Sequence, residues 1–157
     1  MNYKDTVSKH LVAIIMVFAA AFVLAFVAAV IINKTKKEGS KPKAAISQVE
    51  KNTLPKSFPS DVPIEKGATI TQNFNATAPN GAFQATRVFI SSKSLAENFS
   101  VYKQYMKSSG WTIKTSLDNT AYKMLLGVKD KSELQVSMSE NQVSKDHTVT
   151  ISVTQQP

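Results

Sequence analysis

The chain has 157 residues, 19 Lys and Arg against 11 acids, a formal charge of +8 and no cysteine. The lack of Cys excludes disulfides, thiolate catalysis, Cys-ligated zinc and a Cys-linked lipid anchor. The basic excess is unevenly placed: residues 1–43 hold seven Lys against Asp5 and Glu38, whereas residues 44–157 keep only +3, scattered among acids. No basic stripe interleaves with aromatics, so nucleic acid is not an expected partner.

Residues 11–32 (LVAIIMVFAAAFVLAFVAAVII) form an apolar run without a charge, a Gly or a Pro. As a helix this run is about 33 Å long, enough to cross a hydrocarbon core of about 30 Å. The lipid bilayer is therefore the first expected partner. A cleavable signal sequence is the alternative, with a cut after Ala21 or Ala29, but the run exceeds the usual h-region of about 7–15 residues. A retained signal anchor is the reading adopted. Ala21, Ala25 and Ala29 repeat every four residues and mark a candidate helix-packing face, for a membrane-protein partner or a homo-oligomer. Lipid-facing alanines of no special role are the competing reading.

Four segments follow: a short tail (1–10), the transmembrane anchor (11–32), a flexible basic linker (33–53) and a globular domain (54–157). Residues 33–43 (NKTKKEGSKPK) are polar and broken by Gly39 and Pro42, as a tether requires. Residues 44–52 are read as one or two helical turns. Pro55, Pro59 and Pro63 then forbid a helix and predict an extended strap, with Leu54, Phe58 and Val62 as anchors.

Period-two patterning beyond Gly67 predicts strands over 69–77 and 82–91, joined through Pro79-Asn80-Gly81. Ser94 and Glu97 form a capping box, and Leu95, Phe99, Tyr102 and Met106 make one apolar stripe. Gly110 is placed to end this helix in the left-handed conformation, with Trp111 folding back on Met106. Four further strands are predicted. Trp111, Ile113 and Thr115 alternate in the first, and Tyr122, Met124, Leu126 and Val128 share a face of the second. Leu134, Val136 and Met138 mark the third and Val149, Ile151 and Val153 the fourth, with 140–147 as a polar loop between. The expected fold class is α+β: after the transmembrane helix, one amphipathic helix on an antiparallel sheet in the order ββαββββ.

Two motifs carry a resemblance. Phe58-Pro59-Ser60-Asp61-Val62-Pro63 running on to Gly67-Ala68, and Tyr102-x-x-x-Met106-x-x-x-Gly110-Trp111, resemble those of small bacterial exported domains tethered by a span or a lipid anchor. Glu65-Lys66 stands where that group commonly has an aromatic and Pro. The resemblance implies the fold and an envelope location, and no catalytic residues. It also bears on orientation. Five Lys follow the span and two precede it, which by the positive-inside rule puts the domain in the cytoplasm. The resemblance and the Ser/Thr/Asn-rich composition put it outside, and the extracytoplasmic placement is the one expected.

Catalytic chemistry has little to stand on. His10 and His147 lie apart, no His/Asp/Glu group has metal-ligand spacing, and no Gly-x-Ser-x-Gly elbow or phosphate-cradling loop occurs. Neither a metal nor a cofactor is expected, and the chain is read as non-enzymatic. His147 is read as a solvated loop residue. Tyr105, just off the helix stripe, is read as exposed; with Lys103 and Lys107 it forms a candidate surface for an anionic partner. The expected function is a single-pass anchored binding or scaffolding domain at the bacterial cell envelope. The alternative is an accessory subunit of a membrane complex, contacting its partner mainly through the span.

Overall fold

A computed structural model describes residues 44–157 except Gln142. The expected span and Ala21, Ala25 and Ala29 lie outside the described residues. Among the described residues no helix is long and apolar enough to cross a membrane. Ala45–Thr77 and Gly81–Pro157 form one compact unit, and a second, Met1–Ala44 with Ala78–Asn80, falls almost wholly outside the described residues.

The first unit has α+β architecture: seven strands and one helix. The strands are β1 (Ala45–Gln48), β2 (Thr69–Thr77), β3 (Phe83–Ser91), β4 (Thr112–Asp118), β5 (Tyr122–Lys129), β6 (Ser132–Glu140) and β7 (His147–Gln155), with helix α1 (Leu95–Ser108) between β3 and β4. All pairings are antiparallel, in the order β1-β2-β3-β7-β6-β5-β4. The chain thus leaves β3 near the middle, crosses through α1 to the far edge, and returns as a four-strand meander until β7 pairs with β3.

One strand was not expected. Residues 45–48 form β1 rather than a helical turn, pairing Ala45 with Thr77 and Gln48 with Phe74. Their own sequence is weakly helical, but the free edge of β2 offers backbone partners that a solitary turn of helix lacks.

The core lies between the sheet and a layer made of α1 and the strap. Ala85, Phe89, Leu125, Leu134, Val136, Met138, Val149, Ile151 and Val153 from the sheet meet Phe99, Tyr102, Met106 and Trp111 from the helix and its exit. The expected sets on β6 and β7 are thus buried. On β5, however, Leu125 is fully buried, whereas Tyr122, Met124, Leu126 and Val128 share the opposite face and are only partly covered. Gly127 accounts for this choice. A Cβ at Gly127 would lie 3.2 Å from Trp111 Cβ and 3.3 Å from Met106 Sδ, so its bare backbone is what lets the end of the helix sit on β5.

Helix α1 begins and ends as its sequence dictates. Ser94 accepts from the Glu97 amide at 3.2 Å while the Glu97 carboxylate accepts from the Ser94 amide at 2.8 Å. At the other end Gly110 takes φ +78 and the Trp111 amide donates to the Met106 carbonyl at 2.9 Å, the long bond of a Schellman ending. On β4 the register shifts between Ile113 and Thr115, placing a bulge at Lys114 on the sheet's edge.

Candidate functional site

The most developed polar structure of the domain is the attachment of the strap. Val49 donates to the Asn73 carbonyl at 2.9 Å, and Thr53 donates to the Glu50 carbonyl at 3.0 Å, closing a turn. Asn73 on β2 and Arg87 on β3 stand opposite one another in register and hold this turn from below. Asn73 Nδ2 donates to the Glu50 and Thr53 carbonyls at 2.6 and 2.8 Å, and Arg87 Nη2 to the Lys51 carbonyl at 2.6 Å. Burial lowers the Arg87 pKa from its ordinary value. Asn73 Oδ1 and Arg87 Nε are buried without a hydrogen-bond partner.

Phe58 and Val62 are buried in the core as expected, but Leu54 is 42% exposed. The polar grip of Asn73 and Arg87 on backbone carbonyls fixes the start of the strap, so an apolar anchor at Leu54 is dispensable. Further along, the Tyr102 hydroxyl donates to the Pro63 carbonyl at 2.7 Å, joining helix to strap. Burial first, then the nearby Glu65 charge, pushes the Tyr102 pKa far above the usual tyrosine value.

Glu65 makes the last clamp. Its carboxylate accepts from the Ser91 and Ser92 hydroxyls and, at 3.2 Å, from the Ser92 amide, with Lys93 Nζ 4.0 Å away. These hydroxyls, chiefly that of Ser91, and to a smaller degree the Lys93 charge, hold the Glu65 pKa below the ordinary carboxylate value against the opposing effect of burial. Ser91 is shared in turn with buried Asn98, whose amide also donates to the Lys93 and Ser94 carbonyls at 3.0 Å. The strap, the β3–α1 turn and the first turn of the helix therefore form one network. Its members escaped sequence reading because Ser, Asn and Glu carry no periodic signal.

The expected partner surface needs one correction. Tyr105 is buried in the core cluster rather than exposed. The buried stripe is wider than the four residues first counted, taking in Asn98 and Tyr105 as well, because the strap covers the flank that a bare sheet would leave open. Burial, then the charge of Asp61, raises the Tyr105 pKa. Lys103 and Lys107 remain at the surface, Lys103 partly covered and Lys107 exposed. Lys103 Nζ lies 5.4 Å from the centroid of the Phe99 ring and Lys123 Nζ 5.6 Å from it. Lys123 also pairs with Asp118, and Lys129 donates to the Ser109 carbonyl at 2.9 Å, beside the end of the helix.

His147 is the first residue of β7 and half-buried, not a loop residue, and its Nε2 lies 3.9 Å from Glu140 Oε2. The polar loop is correspondingly shorter, because β6 runs to Glu140 and pairs it with His147. Among the described residues no group of three His, Asp or Glu side chains is placed to hold a metal ion. No protein-family model, curated protein or solved structure matches the chain.

Proposed function

We propose that this chain is a single-pass, membrane-anchored and non-enzymatic domain that binds or scaffolds a partner at the bacterial cell envelope, with its folded part on the extracytoplasmic side. The observation that carries this reading is the uninterrupted apolar run of residues 11–32, followed by a basic, Gly- and Pro-broken linker. The resemblance of the Phe58–Pro63 and Tyr102–Trp111 motifs to those of small exported domains is what favours the extracytoplasmic side. The sheet, braced by one helix and a clamped strap, offers a folded platform whose best-organised polar side chains hold the strap.

Proteinase added to intact cells or spheroplasts tests the placement. Digestion of the domain without lysis is the expected result, and protection until lysis contradicts it. A second reading, an accessory subunit of a membrane complex, is favoured by the ridge of Ala21, Ala25 and Ala29. Replacing Ala25 with Ile weakens association in a membrane two-hybrid assay if the span makes the main contact, and leaves it unchanged if the domain does.

A further inference from the structure

The folded part has a charge asymmetry that its overall balance conceals. Residues 94–131, which contain α1 and the β4–β5 hairpin, hold Lys103, Lys107, Lys114, Lys123, Lys129 and Lys131 against Glu97, Asp118 and Asp130. The rest of residues 44–157 is neutral, with six cations and six acids. The whole net charge of +3 is therefore carried by the segment that forms the helix and the hairpin beside it, while the strap's Asp61 and Glu65 face Tyr105 and Tyr102 of the same helix.

The fold concentrates it further. Lys103 and Lys107 are one helical turn apart and share a stripe of α1. Lys103 and Lys123, from helix and sheet, converge on one ring, that of Phe99. Of the three acids, Glu97 is engaged by the Ser94 amide and hydroxyl, and Asp118 by Lys123. Lys107 and Lys114 are exposed, and no carboxylate lies within ion-pair distance of Lys103, Lys107 or Lys114 among the described residues.

We infer that this helix–hairpin side is a docking face for the anionic headgroups of the bilayer in which the chain is anchored. The inference rests on the anchored reading above. Charge complementarity supplies the attraction, and the tether supplies proximity: a Gly/Ser-type chain of eleven residues, the length of residues 33–43, has a root-mean-square reach of about 18 Å, and a linker rich in like charges reaches further. A lysine brought to an anionic surface raises partitioning about fivefold, and the effect fades within a Debye length of about 8–10 Å. A few lysines on one side thus suffice to turn a tethered domain, though not to hold an untethered one.

The absence of Cys allows a clean test on the full chain. A single fluorophore is placed at Ser100→Cys, on the exposed helix surface beside Lys103, or at Gln72→Cys, on the sheet face turned away from the helix. Energy transfer to a headgroup-labelled acceptor is measured in nanodiscs of phosphatidylcholine alone or with about a third phosphatidylglycerol. The expected result is greater transfer from the Ser100 site than from the Gln72 site only in the anionic discs. That difference is abolished by salt on the order of 1 M and at least halved by Lys103→Gln with Lys107→Gln, in a variant whose melting temperature is unchanged. Equal transfer in the two lipids, an equal rise at both sites, or indifference to the lysine changes overturns the docking face and leaves the anchor standing. A chain that fails to incorporate into either disc overturns the anchor and the docking face together.

Discussion

Replacing Tyr102 with Phe removes one direct bond between the helix and the strap. Tyr102 is 2% exposed and its hydroxyl donates to the Pro63 carbonyl at 2.7 Å. The ring is kept, so apolar burial is almost unchanged. What is lost is one neutral hydrogen bond, net about 1 kcal/mol, together with part of the cost of a half-buried carbonyl left without its donor, about 1 kcal/mol more. A domain of this size has an unfolding entropy of about 0.24 kcal/mol per kelvin, so a loss of about 2 kcal/mol lowers the melting temperature by about 8 °C. Near-ultraviolet circular dichroism, which reports the buried Trp111, follows the transition.

A second readout sharpens the test. Because the folded pKa of Tyr102 is raised, the folded state holds a proton that the unfolded chain releases near pH 10. The corresponding stability is complete below the unfolded pKa and is lost as pH rises toward the higher folded value. The parent therefore destabilises on the alkaline side more steeply than Tyr102→Phe. A melting shift under about 2 °C, or parallel alkaline profiles, would show that the hydroxyl does not fasten the strap.

Two other changes probe different parts of the same construction. Glu65→Gln removes a carboxylate whose folded pKa is depressed, so the parent's advantage is present above the unfolded value of about 4.5 and vanishes as pH falls through the folded one. Melting profiles of parent and variant should converge at low pH and separate toward neutrality, and a constant gap across the range contradicts the clamp. Gly127→Val places methyl groups where Trp111 and Met106 already sit at 3.2–3.3 Å from the Cβ position, and overpacking of this kind costs about 1–3 kcal/mol. Urea denaturation should show that loss with an unchanged m-value, whereas a gain in stability would mean that Gly127 does not set the seat of the helix.

How much was legible in advance follows from where each decision is made. Helix α1 was readable because its start, stripe and stop are local: Ser94 and Glu97 cap it, and Gly110 ends it. The sets on β6 and β7 were readable because polar residues such as Gln135, Ser137, Thr150 and Ser152 separate the apolar ones. On β5 both faces are apolar, from Met124 to Val128, so period two cannot choose between them, and a missing side chain at Gly127 decides. β1 depends on an edge that only β2 can provide. Tyr105 is buried in one cluster with Phe58 and Val62 of the strap, a covering layer that helix periodicity alone does not reveal. The strap network was illegible for a related reason: Asn73, Arg87 and Glu65 act on backbone groups and hydroxyls that are distant in sequence.

The central claim is that residues 1–43 hold this domain at a membrane. Alkaline carbonate extraction of bacterial membranes, applied to the full chain and to a chain beginning at Ala44, tests it most directly. The full chain should stay in the pellet and the shortened one should be soluble and retain the near-ultraviolet signal of Trp111. Release of the full chain by carbonate, or retention of the shortened one, would contradict the account.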